Sequence, residues 1–331
     1  MCESRVNAPD AGQRGETTRI LLDCDTGIDD ALAILYLAGL EGVSIVAAGS
    51  VHGNVPAPLG ALNTLRVLEL AGLDDVPVAV GAARPMAQPL QTAEFVHGED
   101  GLGNIHWPMP RRRPSAEPAA QQIVRLAREQ PGELVLLAIG PLTNLGLALL
   151  LEPELPRLLR RVVVMGGAVY RAGNATADAE ANVWHDPEAA ELALGAGWPL
   201  TLVGLDVTMQ VSLAGDALAE LQAASSAVGR FAWSILQHYL AFYESYYGAR
   251  MCHLHDPLAA GIAVDSSLAR YRRTPVHVEL RGERTRGATR GSLPWWLNPP
   301  SGEPEVEVAV EVDAERFVRG FLDVLAGARA P

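Results

Sequence analysis

The sequence predicts a single-domain α/β protein built on a mostly parallel, open sheet flanked by helices. Three observations carry that expectation. Short apolar runs recur at residues 20–22, 43–48, 76–80, 134–139, 162–165 and 200–203. They lack strict alternation, as strands buried on both faces do. Helical patterns lie between them, at 29–40, 59–71, 119–129 and 187–194, and such strand–helix–strand repetition covers a parallel sheet on both sides. No repeat or composition shift divides the 331 residues, so residues 19–327 read as one domain with decorated loops, against the two that length would allow.

Taken in order, residues 1–18 are polar, without an apolar stretch, and read as a disordered leader. The first strand runs into Asp23-Cys24-Asp25-Thr26-Gly27-Ile28-Asp29-Asp30. Two carboxylates close a strand there, a glycine turn follows, and two more open a helix. Later strand exits are polar too: Ser50-Val51-His52-Gly53-Asn54 after the second, Gly140-Pro141-Leu142-Thr143-Asn144 after residues 134–139, and Gly166-Gly167 with Asn174, Glu180 and Asn182 after 162–165. His255-Asp256-Pro257 opens a helix, with Asp256 expected at its cap and Pro257 in its first position. Residues 276–280 and 306–312 alternate and read as edge or antiparallel strands. Residues 108–118 and 282–304 read as loops, the second carrying Trp295 and Trp296.

Composition narrows the function. Hydrophobic residues make up 49% and charged residues 20%, which suits a folded core. A net charge of −13 disfavours nucleic acid and anionic membranes as partners. On the same ground Arg111-Arg112-Arg113 reads as a solvated loop. All 26 basic residues are Arg, so chemistry that needs a lysine is excluded. Three scattered cysteines, Cys2, Cys24 and Cys252, make no disulfide framework and suit a reducing cytoplasm. Nothing in the chain reads as a secretory signal or a membrane span.

The carboxylate-rich strand end is the informative segment. First-turn carboxylates suit the helix macrodipole by about 0.3–1 kcal/mol each, which explains one or two of the four. Two unit charges about 4 Å apart repel by roughly 4 kcal/mol at an effective dielectric near 20. Either some stay protonated or a cation sits among them. Oxygen ligands without Cys or His select a hard ion, Ca²⁺ or Mg²⁺. Open α/β sheets bind ligands at the carboxyl ends of their strands, where the other polar exits also lie.

These motifs, in this order, resemble the nucleoside hydrolases of the inosine–uridine-preferring type, from about Arg19 to about Leu325. The aspartate signature at Asp23–Asp30 matches first. Gly53-Asn54, His97-Gly98 with Gly101 and Gly103, Gly140–Asn144, Asn174 with Glu180 and Asn182, and His255-Asp256-Pro257 follow. The resemblance implies a Rossmann-like nucleoside hydrolase fold and Ca²⁺-dependent hydrolysis of a ribonucleoside to base and ribose, through an oxocarbenium-like transition state. By the same resemblance Asp25, Asp30, the Thr143 carbonyl and Asp256 would hold Ca²⁺, with the ribose diol and a water completing its shell. Asp25 would take the proton of that water. Asp29, Asn174, Glu180, Asn182 and Asp256 would grip the ribose, with Asn54 close by. His97 and His255 would face the base, His255 protonating or hydrogen-bonding it as it leaves. A small-molecule ribonucleoside partner, a homodimer or homotetramer and a role in nucleoside salvage or catabolism also follow. Thr26 and Ala181 depart from the pattern, which commonly has Pro and an aromatic residue there, and bear on pocket shape rather than activity.

Tyr239, Tyr243 and Tyr247 recur every four residues, a spacing that suits core packing first; one of them is expected at the base site. Two competing functions remain at this level. A haloacid-dehalogenase-like Mg²⁺ phosphatase shares a D-x-D strand end, but it usually needs a lysine and leaves Asp29-Asp30 unexplained. A non-catalytic, calcium-dependent ribose- or nucleoside-binding protein would keep the site without turnover.

Overall fold

The computed structural model describes residues 17–291 and 302–327. Leader residues 1–16 and the loop residues Trp295 and Trp296 lie outside the described residues. Thr18, expected in the leader, instead opens the first strand, where its N–H donates to the Gly42 carbonyl over 2.8 Å.

The first half of the chain alternates as expected: β1 (Thr18–Cys24), α1 (Ile28–Ala38), β2 (Val43–Ser50), α2 (Ala57–Leu70), β3 (Val78–Val80), α3 (Glu94–His97), α4 (Ala119–Glu129), β4 (Leu134–Ala138), α5 (Thr143–Leu151), α6 (Leu155–Leu158) and β5 (Arg161–Met165). The second half continues with α7 (Ala181–His185), α8 (Pro187–Leu194), β6 (Leu200–Val203), α9 (Leu205–Thr208), β7 (Ser212–Ala214), α10 (Gly215–Gln222), α11 (Ala227–Tyr247), β8 (Met251–His253) and α12 (His255–Val264). β9 (Ala269–Thr274), β10 (Val276–Val278), β11 (Thr289–Gly291), β12 (Val306–Val312) and α13 (Ala314–Leu325) end the described chain.

Eight strands form one sheet in the order β3-β2-β1-β4-β5-β6-β12-β9. All pairs are parallel except β12 with β9. Two departures from the sequence reading stand out. Residues 306–312 pair antiparallel with β9, one of the two alternatives expected, but they are not at the edge, because β12 also runs parallel to β6 on its other side. The edge is β9, whose Ala-Arg-Tyr-Arg-Arg-Thr sequence is too charged to read as a strand, although charges are what keep an edge from pairing further. Residues 276–278 do pair antiparallel, with β11, in a separate hairpin.

β1 shows why the sheet is buried on both faces. Ile20, Leu22 and Cys24 enter one core with α1, α2, α11, α12 and α13, whereas Leu21 enters the other with α4, α5 and α8. Side chains alternate along a strand, so both faces need apolar residues and the period-2 signal vanishes. The Pro-Arg loop is only partly a solvated one: Arg112 is half-buried and donates to the carbonyls of Val76 (2.8 Å) and Leu73 (3.3 Å). No helix among the described residues is long and apolar enough to cross a membrane.

The strand order fixes where a ligand can sit. The chain moves outward from β1 to β3, then returns to lay β4 on the other side of β1. At such a reversal the connections leave in opposite directions and a crevice opens beyond the strand ends. Both β1 and β4 end there, at Asp23–Asp25 and at Ile139-Gly140-Pro141.

Candidate active site

The crevice is built first from the turn between β1 and α1. Gly27 precedes the helix, and Asp30 accepts from the Gly27 N–H (2.8 Å) and the Asp25 N–H (3.2 Å). The N-cap amide and one amide of the strand exit are thus met by a first-turn carboxylate, as in a capping box. The turn also leaves the Asp25 and Asp29 side chains buried, with Asp25 Oδ1 and Asp29 Oδ1 lacking a hydrogen-bond partner among the described residues.

The exit of β2 closes over this turn. The Asn54 N–H donates to Asp25 Oδ2 over 2.6 Å, and its side-chain amide donates to Asp30 Oδ2 over 2.9 Å. Two glycines make the approach possible. A Cβ on Gly53 would lie 2.0 Å from Asp25 Oδ2, and one on Gly140, from the β4 exit, 2.9 Å from Asp25 Oδ1. Either would displace a buried carboxylate.

Asp256 completes the acidic group from α12. Its cap assignment is corrected: the residue before the helix is Leu254, and Asp256 is the second residue of the first turn. One oxygen each from Asp29, Asp30 and Asp256 lie within 4.8 Å of one another. The resemblance implied Asp25, Asp30 and Asp256 as ligands; the geometry adds Asp29 to this cluster, with Asp25 electrostatically coupled to Asp29 and Asp30. Burial, then charge repulsion among neighbours, pushes Asp29 up to about 7 and Asp25 and Asp256 well above the usual carboxylate range. Asp30 is raised by burial as well. Without a cation, burial and mutual repulsion shift these groups toward their protonated forms. An oxygen-only set with unpartnered oxygens is suited to a hard divalent ion.

The β4 and β5 exits supply the next wall. Thr143 opens α5; its hydroxyl donates to Asp186 (2.7 Å) and pairs with His52 Nε2 (2.9 Å). Glu180 precedes α7 and accepts from the N–H groups of Gly167 (2.8 Å), Asn182 (2.9 Å) and Val183 (3.1 Å). The Asn182 amide reaches back to the carbonyls of Ile139 (2.9 Å) and Met165 (3.1 Å), joining both strand ends. Asn174 stands apart from the buried set. It is exposed, bonded to the Ala181 N–H over 2.9 Å, and lines an open cleft of about 340 Å³ with Arg171, Leu205, Met209 and Tyr247. A groove of about 380 Å³ near Arg19 and Val43 contains none of the site carboxylates.

Aromatic and histidine side chains form the remaining side. His97 stacks on Tyr239 with ring centroids 5.6 Å apart, and its Nδ1 accepts from the Ile28 N–H over 3.1 Å. Asp29 lies 3.8 Å from the same nitrogen, but burial holds His97 down at about 3, so the contact is not a salt bridge. His255 pairs with Tyr243 through Nε2 (3.1 Å) and with Thr208 through Nδ1 (2.8 Å). Burial, then its histidine neighbours, lowers it to about 3 as well. Within the tyrosine stripe, Tyr239 and Tyr243 are buried and Tyr247 is 48% exposed, so the stripe belongs to both core and rim.

Sequence reasoning named Asn144 in the β4 exit but not its role, and it missed several other members. Asn144 donates to Asp23 Oδ1 (2.8 Å) and to the Ser50 carbonyl (2.9 Å), tying α5 to the β1 and β2 ends. Asp186, Thr208 and the pairing role of His52 were also missed. One signal was present: His185-Asp186-Pro187 repeats the His255-Asp256-Pro257 pattern. Nothing in the sequence distinguishes Thr208 from any other threonine.

The family model for inosine-uridine preferring nucleoside hydrolases matches residues 20–319. A probable uridine nucleosidase 2 of Arabidopsis thaliana is 36% identical over 317 residues, 94% of this chain and 98% of that one. An inosine-uridine preferring nucleoside hydrolase of Crithidia fasciculata is 34% identical over 309 residues, 93% and 97% of the two chains. Among solved structures, a plant nucleoside hydrolase superposes with a TM-score of 0.90 at 34% identity, covering 94% of this chain and 99% of that one. With the matching fold and its acidic crevice, these similarities establish that the chain belongs to the inosine-uridine preferring nucleoside hydrolase family.

Proposed function

We propose that this nucleoside hydrolase cleaves the N-glycosidic bond of uridine- or inosine-type ribonucleosides, giving free base and ribose, with Ca²⁺ among its carboxylates. One observation carries the reading: Asp25, Asp29, Asp30 and Asp256 converge, buried, at the sheet's reversal point, and two of their oxygens have no protein partner. The names of the related uridine nucleosidase and inosine-uridine hydrolase support the choice of base.

Asp25, Asp30, Asp256 and the Thr143 carbonyl would hold the ion, with Asp29 beside it. When bound, Ca²⁺ orients the ribose diol and a water and acidifies that water. The chain's own groups do the rest. Asp25 accepts the water's proton as its oxygen attacks C1′ and the bond from C1′ to the base breaks. Asp29, Asp256 and Asn182 hold the ribose hydroxyls, and Asn174 and Glu180 the 5′ end. The carboxylates already surround the sugar as positive charge develops on it, so little reorganisation is needed. His97 and the His255–Tyr243 pair face the base, where a donor is needed as it leaves.

A reducing-sugar assay on inosine and uridine, with and without EDTA and beside p-nitrophenyl phosphate, tests this. Ribose release that EDTA abolishes and Ca²⁺ restores is expected. Phosphate release, or EDTA-insensitive turnover, would overturn the assignment.

A further inference from the structure

His255 has a hydroxyl partner at each ring nitrogen, Thr208 at Nδ1 and Tyr243 at Nε2, and these partners decide which nitrogen carries the ring proton. Which one decides whether the ring can donate toward Tyr243. Hydrogen-bond accounting around Thr208 answers this. Thr208 ends α9 just beyond β6, is wholly buried, and has His255 Nδ1 as its hydroxyl's only partner among the described residues. A buried hydroxyl proton needs an acceptor, and Nδ1 is the one within reach at 2.8 Å. Thr208 therefore donates, Nδ1 is bare, and the ring proton sits on Nε2. Nε2–H in turn donates to the Tyr243 oxygen across 3.1 Å. That leaves the Tyr243 hydroxyl proton free to point onward, to the Tyr239 oxygen 3.5 Å away or to a ligand.

We infer that Thr208 is a positioning residue: its hydroxyl fixes His255 as the Nε2–H tautomer and so aims the His255–Tyr243 pair as a hydrogen-bond donor toward the departing base. This rests on the function proposed above, which gives His255 the leaving-group side. Without the Thr208 hydroxyl, Nδ1 loses its partner, and the ring can take the Nδ1–H tautomer, whose Nε2 accepts from Tyr243 rather than donating to it, or turn about χ2 and present a C–H edge instead.

The test compares Thr208→Val, which keeps the shape, with Thr208→Ser, which keeps the hydroxyl. On inosine and uridine, Thr208→Val should lower kcat on the order of 10–10²-fold, part of the full effect of acid assistance to the leaving group, with KM within about twofold. p-Nitrophenyl riboside, whose leaving group needs no proton, should change less than about twofold. Thr208→Ser should recover most of the nucleoside rate. An equal fall on both substrates, an unchanged Thr208→Val rate, or a Ser variant as impaired as the Val variant would overturn the inference. A second readout needs no variant at position 208. ¹⁵N–¹H spectra of histidine-labelled wild-type protein, with His255 assigned by the signal lost in His255→Gln, should show a proton on Nε2; a proton on Nδ1 overturns the inference. Absence of any ribose release by the wild type would instead sink the function reading, while the tautomer would still be read.

Discussion

The backbone N–H of Asp25 donates to the carboxylate of Asp30 across 3.2 Å, so the strand exit and the first turn of α1 are held together by one of the acidic groups of the site. Asn54 bonds both residues at once, through its N–H to Asp25 and its side-chain amide to Asp30. Three residues from two strand exits and one helix start are therefore tied together by hydrogen bonds. Perturbing one is expected to perturb the others.

Asp25→Asn keeps the shape and the Asn54 contact but removes the carboxylate proposed as the base. Ribose release should fall at least about 10²–10⁴-fold, while the metal-free protein should melt no lower than wild type, because a buried carboxylate under repulsion is gone. The assay and a thermal melt check both halves. Near-normal turnover would remove Asp25 from the mechanism.

Gly53→Ala places a Cβ 2.0 Å from Asp25 Oδ2, so the carboxylate or the β2 exit must shift. Cation affinity and kcat should both drop, by roughly 10-fold or more if the displacement approaches 1 Å. Gly320→Ala in α13, where a Cβ meets nothing within 4 Å, is the control. It should leave activity intact and stabilise the helix by about 0.5–1 kcal/mol. Equal behaviour of the two variants would refute the cradle.

Metal removal should make stability depend on pH in a defined direction. The Asp29 carboxyl is held near 7 and Asp25, Asp30 and Asp256 are raised too, whereas unfolded aspartates titrate near 3.9. Between about pH 4 and 7 the native state binds more protons than the unfolded chain, so these groups' contribution falls as pH rises. His52, His97 and His255, lowered to about 4, 3 and 3, act oppositely below about 6.5. The gain in Tm on adding Ca²⁺ isolates the carboxylates from the histidines. That gain should be larger at pH 7 than at pH 5, since the ion competes with protons there. A Ca²⁺ effect independent of pH would contradict the shared site.

His255→Ala should cost inosine and uridine a large factor, within about 10²–10⁴-fold, and p-nitrophenyl riboside far less. Equal losses on the two substrate types, measured as kcat/KM, would make His255 a residue of the ribose site rather than of the leaving group.

The sequence by itself determined the alternation of strands and helices, the carboxylate-rich first exit and the ordered motifs that place the chain in its family. These are local facts: apolar runs, a glycine turn, aspartates in a first helical turn, each set by residues a few positions apart. It also made the candidate site's segments legible as strand exits, because a parallel sheet gathers all its carboxyl ends on one side. Only the tertiary structure decided which exits meet. The reversal between β1 and β4, with β12 inserted beside β6, is set by how both faces of the sheet are covered, and no local pattern encodes it. The charged edge strand β9 was illegible for a related reason, since its role at the sheet edge is defined by a neighbour about forty residues away. The same holds inside the site. Asp29 joins Asp30 and Asp256 because α1 and α12 pack together, Asp25 is enclosed because Gly53 and Gly140 approach from two other strands, and Thr208 reaches His255 across 47 positions of sequence. Burial then sets the chemistry. The same carboxylates and histidines would titrate normally in water, and it is their exclusion from solvent by the assembled core that raises the acids and lowers the histidines.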